Sequence, residues 1–448
     1  MKKRFTYLLL VLFLVGASAF VVVRYQQGQQ RQKDTIFGLK ERTGPLAELP
    51  EWATVRSTAE RLIGNVRRNP EDNRSSLQLA ALYLQEARVT GQYAFYDAAA
   101  LKQINGVLER DPALFEALAL KATLQLSQHH FAEGLATARA ALARSPYNSN
   151  VYGMLVDANV ELGHYEQAVE DAQKMVDIRP DLRSFSRIAY LRELHGDLPG
   201  ATEAMQAAVT AGLDGDEPTS WARVQLGRLY ELQGNRQEAE TAYAVTLSDR
   251  PGYAYALAGL GRLELGRKKY TEALAHFRQA YASVPDPEFL LGQSTAYALL
   301  NQPQKAKEQV EAAIRAYQTH AEEAGSEDDA GHYADGELAA AWVLAGEPRK
   351  ALAHALAEYN RRPKNIDMNS LLAWVYYKKG AAAEALPYMQ AALRTKSGDP
   401  VLLLRAGLVY AGAGQKAEAK RLLAQGLRND PNIDPLLKEE ASRLFTTL

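Results

Sequence analysis

The sequence predicts an all-α protein, a solenoid of antiparallel helix pairs stacked in register over residues 73–433. Three observations carry that expectation. Apolar residues recur at helical spacing from Trp52 onwards, and no alternating run of Val, Ile and Thr suggests a sheet. Prolines stand 34 residues apart at Pro112, Pro146 and Pro180, and again at Pro251 and Pro285. Each ends a helix, because proline cannot donate the next backbone hydrogen bond. Small side chains recur in phase with these prolines, the mark of one structural unit written many times.

The first 24 residues, MKKRFTYLLLVLFLVGASAFVVVR, place Lys2, Lys3 and Arg4 before an apolar run from Phe5 to Val23. As a helix that run extends about 28 Å at about 1.5 Å per residue, close to the thickness of a bilayer's hydrocarbon core. The expectation is a transmembrane anchor with its basic end inside, so that everything after Arg24 lies on the outer side of a membrane, periplasmic or extracytoplasmic. Ala17-Ser18-Ala19 supports the alternative of an exported chain whose signal is cleaved near Ala19. Residues 25–51 are rich in Gln and charge and lack periodicity until their end, which predicts a flexible linker. Residues 52–72 read as a lone N-terminal helix.

Within the array, a small residue stands twelve before the proline position of each block. The series is Ala100, Gly134, Ala168, Ala201, Ala239, Ala273, Ala306, Ala351, Ala385 and Ala419. A second series occupies the first helix of each block: Ala80, Ala122, Val156, Ala189, Gly227, Gly261, Ser294, Ala339, Ala373 and Gly407. Helices reach the short end of the usual separation of about 8 to 10 Å only where crossing side chains are small. The two series therefore mark the line along which each pair touches. Three residues further on, Tyr83, Tyr230, Tyr297, Trp342, Tyr376 and Tyr410 place rings on nearly the same face, to fill the wedge between one pair and the next. The pattern departs from itself at an insertion over 88–96, at a break over 318–331 and at Glu358, which stands where a small residue belongs. Because one pair cannot bury its own apolar face, stability must come from stacking on neighbours. Residues 434–448 read as a capping helix with Leu436, Leu437, Leu444 and Phe445 turned inward.

In its period and in its small, aromatic and proline positions, the chain resembles the tetratricopeptide repeat, most strongly over 220–253 and 254–287. About nine to ten repeats show the resemblance. It implies a right-handed superhelix whose concave groove is lined by the second, fifth, sixth and ninth residues of each repeat and holds extended protein segments. Three consecutive repeats carry an aromatic and an arginine seven residues apart there: Arg183 with Tyr190, Trp221 with Arg228, and Tyr255 with Arg262. Seven residues are two helical turns, so each couple shares a face. Such a stripe would stack on aromatic side chains of a bound segment and pair with its carboxylates. The alternative is intramolecular cation–π contact between neighbouring repeats. One branch of the family clamps an acidic carboxyl-terminal peptide, a specificity not expected here because the matching positions include Leu77, Ala81, Ala119 and Thr123.

A formal net charge of -1 gives no pull towards nucleic acid, and the absence of cysteine removes disulfides, thiolate zinc sites and thiol nucleophiles. None of the eight histidines stands at a metal-ligand spacing. His129, His130, His164 and His195 fall in or beside turns inside helix pairs, where simple solvation is expected. GSEDDAGH, residues 325–332, gathers three carboxylates and His332 but lacks the ligand spacing and placed glycine of a calcium loop. No phosphate loop and no Ser-His-acid set is visible. The expectation is therefore no enzyme, no catalytic residue, no metal, no cofactor, no small-molecule substrate and no nucleic acid. The partners expected are a protein or peptide segment in the groove and a membrane through the first helix. The function that follows is a membrane-tethered interaction scaffold assisting assembly of an envelope complex, with a structural spacer or self-oligomerising repeat protein without peptide ligand as the alternative.

Overall fold

The structure is a computed structural model and describes residues 37–323 and 331–448. The expected membrane segment at 1–24 and the first part of the linker lie outside the described residues. Among the described residues no helix is long and apolar enough to cross a membrane, and there is no strand.

Helix α1 (Glu51–Arg68) stands alone and ten pairs follow. The first five are α2 (Asn73–Thr90) with α3 (Tyr93–Arg110), α4 (Phe115–Ser127) with α5 (Phe131–Arg144), α6 (Ser149–Glu161) with α7 (Tyr165–Ile178), α8 (Leu182–Leu194) with α9 (Leu198–Thr210), and α10 (Glu217–Leu232) with α11 (Arg236–Asp249). The second five are α12 (Ala254–Gly266) with α13 (Tyr270–Ser283), α14 (Pro287–Leu299) with α15 (Pro303–Glu323), α16 (Asp335–Leu344) with α17 (Pro348–Arg361), α18 (Ile366–Lys378) with α19 (Ala382–Ala392), and α20 (Pro400–Gly412) with α21 (Lys416–Gly426). Helix α22 (Pro435–Thr447) packs last, on α20 and α21. The insertion at 88–96 does not form a loop; it lengthens both helices of the first pair to 18 residues.

Every residue of both small series is buried. A Cβ added to Gly227 would stand 2.5 Å from the Tyr243 ring, and one on Gly407 would stand 2.6 Å from Leu423, so the close crossings depend on the missing atom. The turn inside each pair contains one residue in left-handed conformation. It is glycine in seven pairs and His129, Lys268 or Asn301 in the other three. In nine of these turns the next amide reaches back five residues, as in His164 N to Asn159 O at 2.7 Å and Gln415 N to Tyr410 O at 2.8 Å, which satisfies carbonyls the helix end leaves open. Among the described residues, apolar burial is divided into several clusters along the stack rather than one centre, as expected of a solenoid.

The ribbon meets itself after one superhelical turn. Contacts join residues 193 to 205 positions apart, nearly six repeats. The turn inside each of the first five pairs abuts the turn that follows the pair five further on. Gly91 meets Val284, His129 meets Tyr333, Gly163 meets Lys364, Gly196 meets Lys396 and Gly234 meets Asn429. Asn365 Nδ2 donates to the Glu161 carbonyl at 3.0 Å, Tyr165 Oη accepts from the Ile366 amide at 2.9 Å, and Asn432 Nδ2 donates to Glu231 Oε2 at 2.6 Å. These contacts form a continuous seam between successive turns.

The described half of the expected flexible linker is packed, which corrects that expectation. Arg42, buried with Glu86, donates to both of its carboxylate oxygens at 2.9 and 2.6 Å. Leu46 and Leu49 insert beside Leu257 and Val284, a full superhelical turn away, and Arg250 reaches Glu51 at 2.7 Å. Residues 37–51 thus strap the first turn to the second. At the other end Leu437 is buried and Leu444 and Phe445 are partly buried, but Leu436 faces solvent, contrary to expectation.

Candidate binding surface on the inner wall

The first helix of each pair supplies the inner wall of the superhelix. Because the seam closes the side, this wall bounds a lumen rather than the open groove expected from the resemblance. Glu288 and Asp367 are open to solvent, yet their carboxyls are pushed up, Asp367 to about 6, because surrounding protein thins the water they meet and because Asp286 and Asp399 lie close.

The three aromatic–arginine couples lie on this wall, but their members find other partners. Arg228 donates to both carboxylate oxygens of Glu193, at 2.9 and 2.5 Å. Arg262 donates to Glu231 Oε1 at 3.1 and 2.9 Å and to the Tyr243 hydroxyl at 3.2 Å, and its guanidinium lies 6.0 Å from the Tyr243 ring. Burial opposes the charge on Arg262, but Glu231 outweighs it and raises the guanidinium above its ordinary value. Arg187 repeats the scheme against Asp157, at 2.8 and 2.5 Å. Each arginine is thus tied to an acid on the preceding repeat. Glu193, Glu231 and Asp157 were not singled out in the sequence; the available signal was an acid on the same wall one repeat upstream. Tyr190 packs beside the Val156–Leu191 cluster, and burial lifts its phenol well above the ordinary value. Tyr255 meets Tyr253 and Phe289 edge-on.

Two of the six residues remain open. Trp221 is 40% exposed, at the same repeat position as Arg183 and Tyr255. Arg183 is exposed and donates to Asn150 Oδ1 at 3.0 Å. Its guanidinium is held below its ordinary value first by burial, with the charges of Arg187, Arg179 and Arg88 adding to the fall against a pull from Asp181. Arg183 and Trp221 thus hold the same position in successive repeats, an open guanidinium and an open indole of the kind that take a carboxylate and an aromatic side chain.

The histidines of the second pair's turn are not merely solvated. His130 is buried with Nε2 2.5 Å from the Gly331 carbonyl, and His129 Nδ1 lies 3.1 Å from the Tyr333 carbonyl. His129, His332 and Glu337 are brought together in the seam although no local spacing joins them. Residues 325–330 of GSEDDAGH lie outside the described residues.

Family models of the tetratricopeptide repeat match residues 119–183, 224–288 and 259–328, and a related one matches 376–439. These segments cover just over half of the sequence, and the chain belongs to the tetratricopeptide repeat family. The solved structures it is similar to include the APC/C hetero-tetramer Cut9-Hcn1, at 15% identity, covering 85% of this chain and 69% of that one with a TM-score of 0.47. PilW, described as a widely conserved type IV pilus biogenesis factor, is 18% identical over 47% of this chain and 96% of its own, with a TM-score of 0.38. MamA is 21% identical over 36% and 91%, with a TM-score of 0.29. Likenesses of that order carry no argument about function. A comparison with curated proteins returned no match. The role this fold supports is that of a scaffold for protein–protein contact.

Proposed function

We propose that the chain is a membrane-tethered scaffold that binds a carboxylate-bearing protein segment on its inner wall and assists assembly of an envelope complex. The observation that carries the binding is Trp221, an indole left exposed at the position that Arg183 holds one repeat upstream, on a wall where Arg187, Arg228 and Arg262 are already paired with acids. An indole offers a large rigid contact area, and an arginine bonded to the neutral Asn150 amide offers a bidentate seat for a carboxylate. With its side closed by the seam, the wall is reached along the superhelix axis, which selects an extended segment over a folded domain. The tether rests on the apolar run Phe5–Val23 and its basic flank, and places the array on the outer side of the membrane whether or not the segment is cleaved near Ala19.

A photo-crosslinking residue at position 225, half-buried and one helical turn from Trp221, in the full chain in native membranes tests the binding. The expected result is a small set of crosslinked proteins, reduced at least tenfold by Trp221→Ala and by Arg183→Ala with helicity unchanged. Equal capture by all three chains would remove the wall from consideration. Protease protection tests the tether, with the array digested only when the outer side is exposed.

A further inference from the structure

We propose that His129, His332 and Glu337 form a divalent transition-metal site, best suited to zinc, that staples successive turns of the superhelix across the seam. His129 lies in the turn between α4 and α5, His332 just ahead of α16, and Glu337 in the first turn of α16. Their donor atoms all lie within 4.8 Å of one another. Glu337 Oε1 is 3.8 Å from His129 Nδ1 and 4.0 Å from His332 Nε2, and the two imidazole rings are 4.3 Å apart. Zinc takes nitrogen at about 2.0 Å and carboxylate oxygen at about 2.0 to 2.2 Å in tetrahedral geometry, so its donors sit roughly 3.3 Å apart. Small side-chain rotations close the difference, and two histidines with one carboxylate leave the fourth position to water.

The surroundings suit such an ion. All three side chains are only part-buried, so an ion has a path from solvent. The Tyr333 carbonyl, 3.1 Å from His129 Nδ1, accepts from that nitrogen and leaves Nε2 to hold the ion, the partnership metal-bound histidines usually have. Arg362, over the Phe131 ring two residues from His129, is committed to Glu161 and Glu358. His129 also adopts φ 65° at a turn position that seven other pairs give to glycine, so the imidazole is held there against the backbone's preference.

The test is zinc titration of the chelator-treated full chain, read by calorimetry and thermal melting, with Co2+ as a spectroscopic probe. The expected result is one equivalent of zinc bound more tightly than micromolar, a Tm raised by several degrees, and the intense visible absorption of tetrahedral Co2+. His129→Gly is the decisive variant, since glycine suits the left-handed turn: it should leave the zinc-free melting temperature unchanged or higher while weakening zinc binding at least 100-fold. His332→Ala and Glu337→Gln should weaken it comparably, and His276→Ala should not. The proposal is overturned if the native chain binds no stoichiometric zinc, if binding is weak and spread over several sites, or if His129→Gly and His332→Ala both retain it.

Discussion

Glu358 breaks the small-residue rule, and its reason lies nearly two hundred residues away. Its buried carboxylate receives Arg362 Nε at 2.6 Å and Arg361 Nη2 at 2.5 Å, and Arg362 then spans the seam to Glu161. Removing one partner of a buried ion pair leaves an uncompensated charge, which typically costs about 3 to 5 kcal/mol. Glu358→Ala should therefore lower unfolding stability in urea by about that amount, whereas Glu384→Ala on α19 should change it by less than about 0.5 kcal/mol. Asp97 presents the opposite case, a buried acid without a countercharge. Its Oδ1 has no partner and Oδ2 only a distant amide, Gln128 Nε2 at 3.5 Å, and burial lifts the carboxyl to about 7. In the unfolded chain it titrates near its ordinary value of about 3.9. Between those two pH values the folded state keeps a proton that the unfolded state has lost. Its contribution to stability is thus full below about pH 4 and falls as pH rises through about 7. Melting temperature followed from pH 4 to 8 should show a decline in the native chain that is smaller in Asp97→Asn.

At the level of the helix pair, the turn position permits a controlled comparison. Gly163 and Gly346 occupy the same place in their pairs with φ of 74° and 73°. A Cβ on Gly346 meets nothing within 4 Å, whereas one on Gly163 would stand 2.2 Å from the Lys364 carbonyl across the seam. Gly346→Ala should cost only the left-handed backbone penalty, about 1 to 2 kcal/mol. Gly163→Ala should cost at least about 1 kcal/mol more, the usual scale of an overpacked contact. Denaturant unfolding of the two variants measures the difference, and equal losses would mean that the seam does not bear on stability. The crossing itself is tested by Ala239→Leu, which forces a branched side chain between α10 and α11 and should destabilise by about 1 to 3 kcal/mol.

At the scale of the molecule, an open solenoid contacts only its neighbours and unfolds as a chain of local interfaces. This chain adds contacts some two hundred residues apart at five successive turns, together with the strap of residues 37–51. Those contacts couple the first half of the array to the second, so the native chain should unfold in one cooperative transition. Gly163→Ala combined with Gly196→Ala, both against the seam, should split it into two, visible when tryptophan fluorescence and far-UV circular dichroism no longer coincide.

The sequence alone determined the helix pairs, their register and the small crossings at positions such as Ala239 and Gly407, because these follow from periodicities of 3.6 and 34 residues that are written locally. It also marked the residues of the inner wall, since repeat position dictates which way a side chain points. Tertiary structure decided which of those residues stay free. Arg228 and Arg262 find acids one repeat upstream, while Trp221 does not pack away. It also decided the seam, which converts a groove into a lumen, turns the described part of the linker into a strap, and brings His129 to His332 and Glu337. The physical reason is that superhelical pitch sums many small rotations between pairs, so residues that meet after a full turn share no local pattern by which they could be recognised.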